Sequence, residues 1–283
     1  MSIATRVLEL LLGEEPAQPR LTWYGADDER VELSGRVLAN WVTKATNLLA
    51  EEGEVEPGTR VLLDVPVHWR GLVWALATWA AGGHLVVPGE TDDDTDDDEA
   101  YEPDDDEDDD APEASEDDES EFVADSGEDE PDVVVTSRTT TVPAAGLQLV
   151  IALPALAMRV TQPIPAGAMD AAAALMGYGD DLGYVEEPDD DDVALTGPDL
   201  DGPGPGGAVS YGELVAWAAR QTPASHRDEP GARVLCSPGS LAEMIAHGVA
   251  AWRTGGSLVL LGDDVPRARF DEIAAAERAT VRC

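Results

Sequence analysis

Two segments of this chain contain the same succession of hydrophobic patterns. In residues 56–89 a Pro-Gly turn precedes a short apolar run, then apolar positions three and four residues apart, then a second apolar run after a Gly-Gly pair. The same order recurs without a gap in residues 229–262, and the two segments share 13 of 34 positions. Unbroken apolar runs are typical of parallel strands covered on both faces, and the spacing between them is helical. Each segment is therefore predicted to form a right-handed βαβ unit of a duplicated fold.

The residues before the first repeat predict a helix, a hairpin and a second helix. Apolar positions at helical spacing predict an amphipathic helix near the amino terminus that ends at Gly13 and is not an export signal. Apolar runs at residues 21–24 and 30–33 flank a polar turn, as in a β-hairpin. Ser34 then begins a helix over 37–51, whose apolar face is expected to pack on the sheet of the first βαβ unit.

The later pattern predicts strands at 132–136, 147–153 and 193–195, helices at 171–176, 214–221 and 266–278, and a final strand that begins at Thr280. This alternation indicates an α/β fold with two pseudo-repeated subdomains, in which mainly parallel sheets are flanked by helices. We divide the chain into a first subdomain part (1–89), an acidic insertion (90–132), strands and a helix that complete and link the subdomains (133–195), and a second subdomain part (196–283).

Charge is concentrated in one segment. The chain has 17 basic and 59 acidic residues and a net charge of -42, which argues against nucleic acid or an anionic membrane as a partner. Residues 90–132 hold 27 of the acidic residues and no basic one. We expect this insertion to be disordered and dispensable for folding, because it has little apolar area to offset the entropy of ordering. It lacks the spacing of an EF-hand loop, so no calcium site is predicted.

The sequence offers few residues for chemistry. Cys236 and Cys283 suggest reduced thiols in a cytoplasmic protein, and a disulfide between them is the less favoured alternative. The longest apolar run, 147–158, is too short to span a bilayer. The four histidines have no cysteine or carboxylate at ligand spacing, so no metal site is predicted. Nucleophile-elbow and Walker motifs are absent, and no catalytic residue is assigned.

Scaffold motifs in the same order resemble the N-terminal domain of the adenylate-forming superfamily, which includes acyl-CoA synthetases, luciferases and peptide synthetase adenylation domains. Residues 33–49 resemble its opening helix, 56–61 its GDRV-type turn, 79–88 its AGA-Y-V-P motif, 252–259 its second glycine turn, and 270–280 its helix and ERVT segment. The resemblance covers nearly the whole chain outside the acidic insertion, and short bacterial relatives of that domain are the nearest match. It implies two similar α/β subdomains, in agreement with the repeat.

The chain departs from that family at the loop that wraps the ATP phosphates. The matching place begins with Thr196 and Gly197 and ends with Gly206 and Gly207, and it holds three prolines and no lysine. Prolines remove backbone donors and aspartates repel phosphate, so we interpret these four residues as a degenerate phosphate-loop position. No cofactor is predicted. The family's later nucleotide motifs and its C-terminal domain with the catalytic lysine have no counterpart.

We therefore interpret the chain as a shortened, non-catalytic relative of the AMP-binding N-terminal domain, which acts by binding. Two alternatives stay open. It is an acyl-adenylating ligase that uses ATP and magnesium once a separate polypeptide supplies the missing half, or it is a structural or regulatory protein partner of a synthetase.

Overall fold

The computed structural model describes residues 2–89, 130–144, 146–155, 157–198, 200–223 and 229–283, with the side chain of Asp27 left aside. The expected disorder of the acidic insertion concerns residues that lie almost entirely outside these ranges.

The described part contains seven α-helices and twelve strands. The helices are α1 Ile3–Leu12, α2 Gly35–Glu52, α3 Trp69–Ala80, α4 Ala171–Ala174, α5 Leu214–Gln221, α6 Leu241–Arg253 and α7 Phe270–Ala276. The strands are β1 Pro19–Tyr24, β2 Arg30–Ser34, β3 Arg60–Asp64, β4 His84–Val86, β5 Val133–Thr136, β6 Leu147–Val150, β7 Met169–Asp170, β8 Val193–Thr196, β9 Val209–Ser210, β10 Arg233–Cys236, β11 Ser257–Leu261 and β12 Val281–Arg282.

The strands form two sheets, as the alternating pattern predicts. One has the order β12-β10-β11-β1-β2 and the other β7-β6-β5-β3-β4-β8-β9. All neighbouring pairs are parallel except β1–β2 and β8–β9, where the outer strand of each hairpin runs antiparallel at the sheet edge. The predicted α/β class with two mainly parallel sheets is confirmed.

The two repeated segments form the predicted βαβ units in the same register. Val61 lies opposite Leu85 in the first unit, and Val234 lies opposite Leu258 in the second, 173 residues later. Both helices end in a glycine with positive φ, 87° at Gly82 and 75° at Gly255, where a side chain would be strained. The duplication seen in the sequence therefore extends to backbone pairing and helix termination.

A buried tryptophan occupies the same place in each unit. The indole of Trp79 donates a hydrogen bond to the carbonyl oxygen of Ala194 at 2.8 Å, and that of Trp252 donates to the carbonyl oxygen of Arg20 at 2.9 Å. Ala194 lies on β8 beside β4, and Arg20 lies on β1 beside β11. Each indole therefore joins the helix of its own unit to the strand that follows in the sheet.

The repeat is longer than the 34 residues found in the sequence, because each βαβ unit is preceded by a hairpin and a helix. Leu21 pairs with Leu33 in the first hairpin, and Leu195 pairs with Val209 in the second. The hairpins are exchanged: β1–β2 joins the sheet of the second unit, and β8–β9 joins that of the first. Each sheet thus takes strands from both sides of residue 196.

The helices between the strands supply most of the core. All twelve residues of α3 are buried, as are ten residues of α6, and the two helices contact each other. Helix α1 packs on α2, α3 and α6. Helix α2, expected against the sheet of the first unit, packs mainly against α3 and also contacts β1 and β2, because the β1–β2 hairpin has joined the other sheet.

The expectation of reduced thiols is wrong for this structure, in which Cys236 and Cys283 form a disulfide. The reason is strand register. Val234 lies opposite Val281 and Leu235 opposite Arg282 in the parallel β10–β12 pair, so the next residues of the two strands are neighbours. Their Cα atoms are 4.8 Å apart, although 47 residues separate them in sequence.

Within the described ranges, no helix is both long and apolar enough to cross a membrane.

An ion-pair network holds the end of α7 to the sheet. The carboxylate of Glu277 accepts hydrogen bonds from Arg30 at 2.9 Å, from the hydroxyl of Tyr24 at 2.5 Å and from Arg233. Burial alone would raise the pKa of Glu277, but the hydrogen bonds from Arg30, Tyr24 and Arg233 outweigh it and lower the pKa to about 2. The network stabilises the attachment of α7 and β12 while this carboxylate is ionised.

We expect Trp79→Phe and Trp252→Phe to destabilise the protein by similar amounts, about 1–3 kcal/mol each, because each leaves a buried carbonyl without its donor. The matched control is Trp217→Phe, which removes an indole that is equally buried but has no hydrogen-bond partner among the described residues. Urea unfolding of the three variants measures the difference. If Trp217→Phe lowered the free energy of unfolding as much as Trp79→Phe, this account would be contradicted.

The Glu277 network predicts a specific pH dependence. Because its folded pKa lies below its usual value, the stability contribution of Glu277 is complete above about pH 4.5 and is lost as the pH falls toward about 2. Glu277→Gln should cost about 1–3 kcal/mol near neutral pH, and its gap to the unsubstituted protein should narrow on acidification. Unfolding free energies between pH 6 and pH 3 test this, with Glu272→Gln, an exposed glutamate of the same helix, as control. If the difference in unfolding free energy between Glu277→Gln and the unsubstituted protein stayed constant with pH, the stabilising role of the ionised Glu277 would be refuted.

Candidate functional site

The carboxyl ends of strands from both sheets meet at one cleft of about 530 Å³. In one sheet, Asp64 ends β3, Pro88 and Gly89 follow β4, and Ser137 and Arg138 follow β5. From the side of the other sheet come residues 239 and 240, which connect β10 to α6, Leu241, which begins α6, and residue 263, which follows β11. Ligands of open parallel sheets bind outside the carboxyl ends of the strands, so this is the candidate site.

A second cleft of about 520 Å³ continues the first. The two share Pro66, Val67 and Asp263 in their walls. The second is also lined by Trp23, Gly25, Ala26, Glu29, His68, Leu153, Pro154, Gly262 and Asp264. We call the combined feature the strand-end groove.

The polar groups of the first cleft are organised around Asp64. The guanidinium of Arg138 donates to the carboxylate of Asp64 at 2.8 Å, and the hydroxyl of Thr136 donates to its other oxygen at 2.7 Å. The side chain of Arg138 remains 59% exposed, so part of its charge faces solvent. On the opposite wall, burial raises the pKa of Asp263, and the nearby charge of Asp264 adds to the shift. Among the described residues that line the cleft, one arginine therefore lies between acidic neighbours.

His68 lines the second cleft as a neutral side chain. Its Nδ1 accepts a hydrogen bond from the backbone amide of Arg70 at 3.2 Å, which caps the start of α3. Burial, and then the charge of Arg70, lower the pKa of His68 to about 3. Its ring also packs edge-on against Trp23 with centroids 4.7 Å apart. These contacts give it a structural role and keep it uncharged near neutral pH.

Arg70 is a buried cation that sequence reasoning missed. Its guanidinium lies 4.6 Å from the ring centroid of Trp69 and 5.3 Å from that of Trp41. It donates to the carbonyl oxygens of Pro154, Ala155 and Ala157 at 3.3–3.4 Å, and burial lowers its pKa to about 10. The sequence signal that could have identified this buried cation is an arginine at the start of an otherwise apolar helix. Arg70 attaches the chain segment after β6, which forms one wall of the groove.

The four predicted phosphate-loop residues lie near the carboxyl end of β4 but not in the lining of the groove. The hydroxyl of Thr196 is 2.7 Å from Nε2 of His84. A Cβ on Gly197 would lie 2.6 Å from the side chain of Val87, so a glycine is needed there. Gly206 and Gly207 have positive φ and belong to the β8–β9 connection.

Three backbone amides at the end of this loop donate to carbonyl groups of the same stretch. The amide of Gly204 donates to the carbonyl of Ala208 at 2.9 Å, that of Gly207 to Gly204 at 3.2 Å, and that of Ala208 to Pro205 at 3.2 Å. The single lysine of the sequence, Lys44, lies on α2 and pairs with Asp180 at 2.7 Å. Residues 196–207 contain two aspartates and no lysine or arginine, so they do not supply the cation that the phosphates of ATP would need there.

A second group of reactive side chains lies on the β10 side of the other sheet. His247 has Nδ1 3.7 Å from Sγ of Cys283, while its Nε2 is 3.4 Å from the carboxylate of Glu243. The expectation that no histidine has a cysteine or carboxylate near it does not hold for His247. The spacing of Glu243 and His247, four residues apart on a helix, was visible in the sequence, whereas the approach of the cysteines was not.

The arrangement of helices and two mainly parallel sheets matches the fold of the N-terminal domain of adenylate-forming enzymes. A Brucella canis acyl-CoA synthetase superposes with a TM-score of 0.68 and 15% identity over all of this chain, which covers 47% of that protein. The N-terminal domain of FACL13 from Mycobacterium tuberculosis gives 0.61 and 15%, again over the whole chain, which covers 62% of it. The fold that the sequence resemblance implied is confirmed.

Similarity in sequence is more restricted. A TIGR03089 family protein of Mycobacterium tuberculosis is 34% identical over 87 residues, which are 30% of this chain and 36% of that protein. No family model matches the chain. The chain thus spans about half the length of the acyl-CoA synthetase whose fold it shares, and well under two thirds of its curated relative is aligned with it.

We expect Arg70→Met to loosen the wall of the groove, because three carbonyl groups after β6 lose their donor. Amide exchange of Ala155, whose N–H donates to Glu29 at 2.8 Å, should become roughly 10-fold faster, a change of about 1.4 kcal/mol in local opening. Hydrogen-exchange mass spectrometry measures it. The control is Arg138→Met, which removes an exposed cation from the same groove. Unchanged exchange in Arg70→Met would show that Arg70 does not hold this wall.

Proposed function

We propose that this chain is a non-catalytic binding module built on the adenylate-forming fold, and that it binds its ligand in the strand-end groove. The observation that carries the proposal is the state of the degenerate phosphate loop. It contains no lysine or arginine, the amides of Gly204 and Gly207 donate to carbonyl groups of the same stretch, and the hydroxyl of Thr196 is engaged with His84. Adenylation requires positioned donors and a cation where charge develops on the phosphates, and this loop offers no cation.

The ligand that suits the groove is a carboxylic acid with an apolar body. Arg138 is the only arginine or lysine among the described residues that line it, and Asp64 holds it in place. Beyond it Val67, Trp23 and Leu153 add apolar area to walls that also hold Glu29, Asp263 and Asp264. One anionic group near Arg138 and an apolar chain along these walls match that distribution. The likeness in fold to a protein named acyl-CoA synthetase supports the same class of ligand.

The second candidate is a ligase completed by another polypeptide. It is favoured by the likeness in fold to an acyl-CoA synthetase, of which this chain covers 47%, and to the N-terminal domain of FACL13, of which it covers 62%. A regulatory protein that pairs with a synthetase rests on the same likeness. The two are separated by whether a copurifying partner supplies phosphate-binding motifs, which only the ligase requires.

Titration calorimetry of the full chain tests the binding proposal. We expect saturable binding of a medium-chain or aryl carboxylic acid, no saturable binding of ATP with magnesium, and no acid-dependent pyrophosphate exchange. Arg138→Met should weaken acid binding about 10-fold, which corresponds to about 1.4 kcal/mol. The control is Arg6→Met, which removes an arginine paired with Asp190 outside the groove. Micromolar ATP binding with pyrophosphate exchange would establish the ligase instead, and failure of every acid to bind would refute the groove assignment.

A further inference from the structure

The disulfide of β10 and β12 lies beside a histidine that is oriented toward it. One ligand atom each of Cys236, Cys283 and His247 lies within 4.8 Å of the others. His247 is 3% exposed and Cys236 is fully buried, whereas Cys283 is exposed. Two sulfurs and an imidazole nitrogen therefore converge at a point that solvent reaches from one side.

The distances suit a tetrahedral ion bound by sulfur and nitrogen. Zinc bonds of about 2.3 Å to sulfur and 2.0 Å to nitrogen, at the tetrahedral angle, place those two ligand atoms about 3.5 Å apart. Sγ of Cys283 and Nδ1 of His247 are 3.7 Å apart. The Cα atoms of the two cysteines are 4.8 Å apart on adjacent strands, so rotation of their side chains separates the sulfurs once the bond between them is broken.

The other nitrogen of His247 has the kind of partner that orients metal ligands. Its Nε2 is 3.4 Å from Oε1 of Glu243, and the second oxygen of Glu243 accepts the backbone N–H of Gly239 at 2.8 Å. A carboxylate that holds the distant nitrogen of a ligating histidine selects the tautomer whose Nδ1 lone pair faces the metal. The loop before α6 holds this carboxylate in turn, so the contact at Nε2 fixes the orientation of the imidazole ring.

We propose that the reduced protein binds one Zn²⁺ through Cys236, Cys283 and His247, with Glu243 as the positioning residue and water in the fourth position. Two thiolates and a neutral imidazole cancel the charge of a divalent ion, and soft sulfur ligands favour zinc over the magnesium or calcium that carboxylates attract. The site is separate from the strand-end groove, and the proposal does not rest on the proposed function.

The metal-bound form and the disulfide exclude each other. A dithiol reductant supplies two electrons and two protons, the S–S bond breaks, two thiols form and the reductant becomes a disulfide. Binding of Zn²⁺ then releases the two thiol protons to water. In the reverse direction the ion leaves, the two thiolates take up two protons from water, and a disulfide oxidant accepts two electrons and two protons from the thiols and becomes a dithiol.

Cobalt titration of the reduced full chain under argon tests the proposal. Co²⁺ replaces Zn²⁺ as the probe because thiolate ligation produces a charge-transfer absorption, which the acidic segment at 90–132 does not produce when it binds the ion through carboxylates. We expect the band to saturate at one Co²⁺ per chain, to disappear on addition of one equivalent of Zn²⁺, and to be absent from the disulfide form.

Three variants locate the site. Cys283→Ser, at an exposed position, should abolish the band. Glu243→Gln should keep it but weaken Co²⁺ binding at least 10-fold. His84→Gln, which removes a histidine on β4 in the other sheet, should leave the titration unchanged. The proposal is refuted by a reduced, folded chain without a thiolate band, or by a band that Cys283→Ser retains.

Discussion

The exchange of hairpins between the two repeats is the constraint on which the structure depends. In each βαβ unit, one edge of the second strand has no partner within the unit. A strand of the hairpin from the other half of the chain pairs with that edge. Parallel pairing of β1 with β11 and of β8 with β4 makes the exchange, and an indole from each unit bonds to the strand that arrives. Because backbone groups buried in a sheet must be paired, neither repeat is complete alone.

This constraint also places the groove. Exchange brings the two sheets together through the buried pair of α3 and α6, and the carboxyl ends of strands from both then face one another. Arg70 and Glu29 add a wall by holding the chain after β6. A site of this kind draws its residues from loops, while the core beneath it consists of apolar residues from both helices and strands.

Electrostatics is the reason that we propose a binding role for this chain and not adenylation. Residues 196–207, where the resemblance places the phosphate loop, contain no lysine or arginine. Among the described residues that line the groove, the only arginine is paired with Asp64 and remains partly exposed. The proposal follows because this arrangement does not provide for charge that develops on phosphates during a reaction.

The sequence alone determined the βαβ units, the serine that begins α2 and the glycines that end the repeated helices, because these depend on neighbours close in the chain. It also indicated the fold through the order of scaffold motifs. The exchange of hairpins, the burial of Arg70 and the meeting of Cys236, Cys283 and His247 depend on contacts between residues that are distant in sequence. The disulfide illustrates the difference: each cysteine lies on or next to a short strand that looks ordinary, and only the register of β10 with β12 makes them neighbours.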